Sequence, residues 1–213
     1  MGNSLAQAQP RPIGPPLLPP RATADGTHRR LLEAALVRFG ERGFHGVSVR
    51  EIAEAAGVRA SSVYAHLESK EQLLFQLMLI GHEEHHDRLR QALLDAGSDP
   101  MDQISRLVEA HVIFHGTFPL LARVANREMA PLAPPSRERV LAVRHASEQL
   151  FLDVIERGRR LGEFRVDDSW LGMAAIGSMG IRVAEWWVEG DHQVEEVARI
   201  YAHFARRLLT ADR

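Results

Sequence analysis

Two histidine pairs have the four-residue spacing that places side chains on one face of a helix. His82 and His86 flank Glu83 in the pattern His-Glu-x-x-His, which can hold a zinc ion beside a glutamate base. The sequence offers no third ligand at a recognisable spacing, and eleven histidines in 213 residues make a chance match common. We therefore expect a solvated helix face here, with a zinc-dependent hydrolase as the alternative.

The second pair, His111 and His115, lies among apolar residues that include Phe114 and Phe118. Two interpretations of this pair are equally good. The imidazoles are either hydrogen-bonded, partly buried core residues, or the polar lining of an apolar ligand pocket. A metal site ranks third, and we expect no cofactor, no bound metal ion and no catalytic residue in this chain.

A third group of polar and basic residues lies between Ser48 and Lys70. Apolar positions there fit two short helices separated by a turn at Gly57. This pattern predicts a helix-turn-helix unit, whose second helix can present polar side chains to the edges of DNA bases. A helical hairpin inside any α-helical protein fits the periodicity equally well. The residues on the outward faces are Arg50, Arg59, Ser61, Ser62, Tyr64 and His66.

The composition limits the kind of chain that carries these groups. With 45% hydrophobic and 25% charged residues, the protein is neither collagen-like nor wholly disordered. The absence of cysteine excludes disulfides, thiolate metal sites and cysteine nucleophiles. The sequence has no apolar run long enough to span a membrane and no secretory-signal pattern, so we expect a cytoplasmic protein. The net charge of −2 argues mildly against a nucleic-acid partner.

The elements that position these residues are predicted to be helices. Apolar residues recur at spacings of three and four from Thr23 onward, and no segment alternates with a period of two. Capping signals at Ser48, Ser69 and Asp99 begin helices, and Gly162 ends one. We predict an all-α fold of about nine helices. Residues 1–22, which are rich in proline, are predicted to be a disordered tail.

Four segments in the first third of the chain carry a family resemblance. They read RLLEAALVRFGERGF at 30–44, VSVREIAEAAGV at 47–58, SVYAH at 62–66 and SKE at 69–71. In order and spacing they closely resemble the N-terminal domain of the TetR family of repressors. The resemblance implies double-stranded operator DNA as a partner, with phosphate contacts from Ser48 and Arg50. It also implies that residues facing base edges are Arg59, Ala60, Ser61 and Ser62, and that residues gripping the DNA backbone are Tyr64, His66 and Lys70.

Arg59 departs from the family pattern, which usually has Ser or Thr at this position. Arginine cannot cap a helix as serine does, so the recognition helix either starts differently or uses Arg59 to read a guanine. A solvated arginine that contacts only phosphate is an equally good interpretation.

The second half of the chain resembles family members that sense acyl-CoA thioesters. The segments concerned read ARVANRE at 122–128, GRRLGEF at 158–164 and AEWW at 184–187. We predict that the effector contacts His111, Phe114, His115, Phe118, Arg123, Arg127, Arg144, Phe151, Met173, Ile176 and Met179. The alternative is that Arg127 or Arg144 pairs with Glu128 and that the apolar residues are simply core.

The resemblance also implies a dimer. The helix predicted over residues 168–189 is apolar nearly all round, so it needs cover on more than one side, and a second subunit can supply it. The residues predicted to lie in the dimer interface are Trp170, Ile181, Trp186, Tyr201 and Phe204.

Together these features predict a homodimeric, ligand-responsive repressor released from a pseudo-palindromic operator by a small apolar effector. The predicted parts are the tail at 1–22, a three-helix DNA-binding domain at 23–70, and a helical ligand-binding and dimerisation bundle at 71–213.

The net charge of −2 is the sum of a positive and a negative part. Residues 1–70 carry 9 basic and 6 acidic side chains, and residues 71–213 carry 17 basic and 22 acidic side chains. An effector-independent architectural DNA binder is a further alternative.

Overall fold

The structure is a computed structural model that describes residues 15–20, 22, 26–59, 69–188, 190 and 192–210. These residues form helices and no strands, which confirms the predicted all-α class. The described helices are α1 (Gly26–Arg42), α2 (Val49–Ala55), α3 (Lys70–Asp95), α4 (Pro100–Thr117), α5 (Pro119–Arg127), α6 (Pro134–Leu161), α7 (Ser169–Trp186) and α8 (Val194–Thr210). The second helix of the predicted helix-turn-helix unit falls on residues 60–68, outside the described residues.

The predicted capping residues set most of the helix ends. Ser48 and Ser69 accept the backbone N–H three residues ahead, and Asp99 accepts two N–H groups at the start of α4. Gly162 ends α6 in the left-handed conformation at φ +76°. Helix α3 ends at Asp95, and Gly97, which follows its C-cap Ala96, does not have a positive φ.

Part of the predicted tail packs against the first helix. Leu18 is buried, and the guanidinium of Arg29 donates hydrogen bonds of 3.1 Å to the carbonyls of Leu18 and Pro19. Residues 15–20 and 22 therefore differ from the expected disorder, because one apolar side chain and one arginine fix them to α1. Composition alone does not reveal such a contact.

The buried apolar residues in the described part of the chain form two hydrophobic cores. The first joins α1, α2, the first turns of α3, and α5, and it includes Phe39, Ile52, Leu74 and Leu121. The second joins α4, α6, α7 and α8 around residues such as Val112, Phe151 and Ile176. Helix α3 contributes Leu73, Leu74, Leu77 and Met78 to the first core and Leu89 to the second. It is therefore a continuous structural connection between the two cores.

None of the helices in the described part of the chain is both long and apolar enough to cross a membrane.

Candidate nucleic-acid interface and ligand cavity

A reciprocal cap holds the start of α2. The Ser48 hydroxyl accepts the N–H of Glu51 at 3.3 Å and donates to the Glu51 carboxylate at 2.7 Å. That carboxylate also accepts the Ser48 N–H at 2.8 Å and the Arg42 guanidinium at 2.8 Å. The hydrogen bonds from Ser48, followed by Arg42, lower the pKa of Glu51 to about 2. Ser48, a predicted phosphate contact, thus also fixes the first helix of the helix-turn-helix unit.

Lys70 ties α3 to the turn between α1 and α2. Its ammonium group donates to the carbonyls of Phe44 and Val47, both at 2.8 Å, and lies 4.1 Å from the centre of the Phe44 ring. These two bonds use two of the three ammonium hydrogens, so one can still be donated to a phosphate. The sequence predicts the phosphate contact and gives no sign of the two carbonyl partners.

The remaining predicted DNA contacts are only partly described. Arg50 on α2 and Arg59 after it are exposed. Ala60, Ser61, Ser62, Tyr64 and His66 lie outside the described residues. In the sequence, the basic residues Arg50 and Arg59 therefore precede residues 60–68, and the basic residue Lys70 follows them.

A cavity of about 310 Å³ lies within the C-terminal bundle, between helices α3, α4, α5, α6 and α7. Its walls are mainly apolar and include Phe114, Phe151, Met173 and Ile181. Its polar lining residues are His82, His85, His111, His115, Asn126, Arg144, Ser147, Glu148 and Ser178. A cavity that combines apolar walls with convergent polar groups is typical of a small-molecule site.

The structure brings six of the eleven predicted effector contacts to this cavity. They are His111, Phe114, His115, Arg144, Phe151 and Met173. Arg144 forms an ion pair with Glu148, one turn further along α6, at 3.0 Å.

The other five predicted contacts do not line the cavity. Phe118 lies in the first core, and Ile176 and Met179 belong to the second. Arg123 donates to the carbonyl of Ala184 at 3.2 Å, and Arg127 pairs with Glu185 at 2.6 Å. Spacing on a helix does not distinguish apolar residues that face the core from those that face the cavity. The predicted effector contacts therefore include residues that do not line the cavity.

Three histidines from two helices meet at the wall of the cavity. His85 Nε2 lies 2.8 Å from His111 Nδ1, and the ring centres of His111 and His115 are 4.4 Å apart. Burial lowers the pKa of His111 to about 4. Burial, assisted by the neighbouring histidines, also holds the pKa of His85 and His115 well below the usual range. All three imidazoles are therefore neutral near pH 7.

His85 is a cavity residue that the sequence did not single out. It lies inside the His-Glu-x-x-His segment, which was expected to face solvent. The spacing of four draws attention to His82 and His86, whereas the residue that meets His111 is His85, one of the three residues between them. Only the packing of α3 on α4 brings these rings together.

The residues of the His-Glu-x-x-His pattern point to different partners. His82 Nε2 lies 3.3 Å from the Ala125 carbonyl, His86 Nδ1 lies 3.2 Å from the Ser147 hydroxyl, and Glu83 is exposed. Within the described ranges, one group of three histidine or acidic side chains is close enough to share a metal ion, and neither His82 nor His86 belongs to it.

An exposed apolar face runs along α7 and α8. Trp170 is 59% exposed, Trp186 45% and Phe204 49%. The ring of Tyr201 stacks on that of Trp186 at 6.5 Å and lies 6.0 Å from that of Phe204. Of the five predicted interface residues, Trp170 and Ile181 also line the cavity, and Ile181 is half-buried.

Two protein-family models together match most of the chain. Residues 31–77 match the model of bacterial regulatory proteins of the tetR family, and residues 97–209 match that of the tetracyclin repressor-like C-terminal domain. The transcriptional repressor KstR2 of Rhodococcus jostii is 25% identical over 190 residues, which cover 88% of this chain and 93% of that protein.

Solved structures share the fold. A tetR-family regulatory protein from Rhodococcus RHA1 superposes with a TM-score of 0.81 at 28% identity and covers 88% of this chain and all of its own. AibR, solved in complex with isovaleryl coenzyme A and operator DNA, superposes with a TM-score of 0.74 at 20% identity over 86% of this chain and 98% of its own. Because the C-terminal family model alone spans more than half of the residues, the chain belongs to the TetR family of DNA-binding transcriptional regulators.

Proposed function

We propose that this protein is a homodimeric repressor that leaves a pseudo-palindromic operator when an apolar effector enters the cavity between α3 and α7. The DNA-binding part comprises residues 23–70, and the effector-binding and dimerisation part comprises residues 71–213. Because the chain matches a family of bacterial regulatory proteins, its proposed place of action is the cytoplasm.

The observation that carries this proposal is the course of α3. The helix begins at Lys70, directly after the segment expected to enter the major groove, and its residues Gly81, His82 and His85 line the cavity. A ligand that displaces α3 at the cavity therefore changes the position of the DNA-binding part. A coupling of about 1–3 kcal/mol between the two sites would lower operator affinity roughly 5- to 150-fold.

The size of the cavity favours a short acyl group as the buried part of the effector. A volume of about 310 Å³ is near the lower end of small-molecule pockets, which run from roughly 300 to 1,000 Å³. A site of this size does not enclose a whole acyl-CoA molecule. In an acyl-CoA complex the nucleotide would lie outside, where Arg144, whose side chain is 39% exposed, can meet a phosphate. The isovaleryl coenzyme A complex of AibR supports this class of effector.

On the DNA side, we propose that Arg50 and Lys70 contact phosphates and that Arg59 to Ser62 face base edges. The exposed positions of Arg50 and Arg59 support this assignment. The acidic surplus of residues 71–213 then lies away from the phosphates, which favours one orientation on DNA.

The effector experiment starts from operator fragments that the purified protein selects from genomic DNA. Fluorescence anisotropy then measures release of a labelled operator by short-chain acyl-CoAs, by free coenzyme A and by the free acids. We expect acyl-CoAs to release the operator and free coenzyme A to have little effect. If no acyl-CoA changes operator affinity, the effector class is wrong, while sequence-specific binding would still support the repressor role.

A cavity-filling variant tests whether the cavity is the effector site. Ala174 lies in the middle of the stripe of α7 that lines the cavity, between Trp170 and Ser178. Ala174→Phe should therefore retain operator binding and lose release by the effector. Ala146→Phe adds the same side chain on an exposed position of α6 and should respond as the wild type does. Equal responses of both variants would place the effector elsewhere.

A further inference from the structure

We propose that His85, His111 and His115 form a binding site for one divalent transition-metal ion, of the Zn²⁺ type, on the wall of the cavity. One ring nitrogen from each histidine lies within 4.8 Å of those of the other two. The ring centres of His85 are 5.0 Å from His111 and 5.6 Å from His115. Three imidazoles on a cavity wall are the ligand set that a zinc site with one open position uses.

The backbone fixes which nitrogen of two of these rings is available. His115 Nδ1 lies 2.8 Å from the carbonyl of His111, and His111 Nε2 lies 3.1 Å from the carbonyl of Gly177. Because a carbonyl only accepts, both of these nitrogens carry the hydrogen. The lone pairs are therefore on His115 Nε2 and His111 Nδ1. Metal-binding histidines usually have their second nitrogen bonded to a carbonyl or carboxylate in this manner.

The three rings need an adjustment to hold an ion, because ring nitrogens up to 4.8 Å apart must reach the spacing of a tetrahedral site. With the hydrogen of His111 on Nε2, its Nδ1 accepts a hydrogen bond of 2.8 Å from the Nε2–H of His85. A bound ion would take the place of this shared hydrogen, and His85 would carry its hydrogen on Nδ1 instead. Two nitrogens at 2.0–2.1 Å from a tetrahedral zinc are about 3.3 Å apart, so the two rings need to separate by roughly 0.5 Å. No net proton is released.

The surroundings favour a borderline-soft ion over Mg²⁺ or Ca²⁺. Neutral imidazole suits Zn²⁺, Ni²⁺ and Cu²⁺, whereas Mg²⁺ and Ca²⁺ prefer oxygen ligands. Glu148 is the one acidic residue among the lining residues, and it is already paired with Arg144. The fourth coordination position would face the cavity, where water or an oxygen atom of a bound effector can occupy it.

Metal binding can be measured without DNA or effector, so it can fail or succeed independently of the proposed regulatory function. Tag-free protein, stripped with a chelator, is titrated with Zn²⁺ and with Mg²⁺ by calorimetry, and with Co²⁺ by visible absorption. We expect one Zn²⁺ per protomer, a four-coordinate Co²⁺ spectrum and no comparable Mg²⁺ binding. Absence of stoichiometric Zn²⁺ binding by the wild type would leave only a hydrogen-bonded histidine cluster and overturn the proposal.

Single-residue variants test which histidines bind the ion. His115→Gln and His111→Gln should each weaken Zn²⁺ binding by more than about 100-fold, since losing even an outer partner of a ligand costs 10- to 100-fold. His86→Gln, next to His85 but bonded to Ser147, is the matched control and should bind as the wild type does. Equal losses in the control would move the ion away from the cluster.

Because the two ligand variants alter buried residues, circular dichroism first establishes that they fold. X-ray absorption at the zinc edge of the wild-type protein needs no variant and should show about three nitrogen ligands at 2.0–2.1 Å. A shell of oxygen ligands alone would contradict the assignment.

Discussion

Gly180 determines how closely α7 approaches the histidine cluster. A Cβ atom at this position would fall on the ring of His111, closer than side-chain atoms ever come. The absence of a side chain therefore lets the imidazole of His111 lie against α7 and donate to the Gly177 carbonyl at 3.1 Å. The hydrogen position that prepares His111 as a ligand thus depends on a glycine on another helix.

Gly180→Ala is expected to lower the free energy of unfolding by about 1–3 kcal/mol, because a methyl group forced into a filled site displaces the His111 ring. Gly177→Ala is the matched control on the same helix, since its Cβ would have no atom within 4 Å. It should be neutral or stabilise by up to about 1 kcal/mol, as alanine favours a helix more than glycine does. Urea unfolding measures both, and equal effects would show that the His111 contact does not matter.

Local residue chemistry explains which site residues could be predicted from the sequence. The caps at Ser48, Asp99 and Gly162 depend on neighbours within a few positions. They can therefore be predicted from the local sequence. The partners of Lys70 lie 26 and 23 residues away, and the partner of His85 lies 26 residues away. Such contacts depend on how helices pack, which a single sequence does not specify.

Helix α2 depends on one carboxylate for its start. The pKa of Glu51 is lowered by its bonds to Ser48 and Arg42, so ionised Glu51 stabilises the folded state. This contribution is present above the ordinary pKa of 4.5 and disappears as the pH falls through about 2. Because α2 is only seven residues long, losing its cap affects a large part of the helix.

Glu51→Gln should therefore lower the melting temperature at pH 7, and the difference from the wild type should shrink between pH 4.5 and 2. Thermal unfolding followed by circular dichroism at several pH values measures this difference. Glu54→Gln, at an exposed position of the same helix, should change the melting temperature little across that range. A Glu51→Gln difference that stays constant from pH 7 to 2 would mean that the charge of Glu51 is not what stabilises α2.

At the level of elements, the sequence predicts which segments are helical better than it predicts where the helices end or what they pack against. Helix α6 ends at the predicted Gly162 and begins with Pro134, a residue type that favours the first helical position. Helix α7 stops at Trp186, before its predicted end at residue 189, because the chain is extended at Trp187, whose indole N–H donates to the His192 carbonyl. The cavity could not be located from the pattern, since core and cavity positions have the same apolar spacing.

At the scale of the whole molecule, the exposed apolar face of α7 and α8 is the feature that one chain leaves uncovered. Leu171 and Trp186 on α7, with Ile200 and Phe204 on α8, are each at least 45% exposed. Contiguous exposed apolar side chains of this kind usually mark an interface. A second copy on this face would bring two DNA-binding parts together, as a pseudo-palindromic operator requires.

Phe204→Glu tests this arrangement. In a monomer the new carboxylate remains in water, whereas in the proposed dimer it becomes buried without a partner, which costs about 3–5 kcal/mol. We therefore expect the dimer dissociation constant to rise by at least about 100-fold and operator affinity to fall with it. Sedimentation and operator binding measure the two effects together. Leu94→Glu, at a residue 75% exposed on α3, should change neither. A Phe204→Glu protein that remains dimeric would show that the subunits meet through another surface.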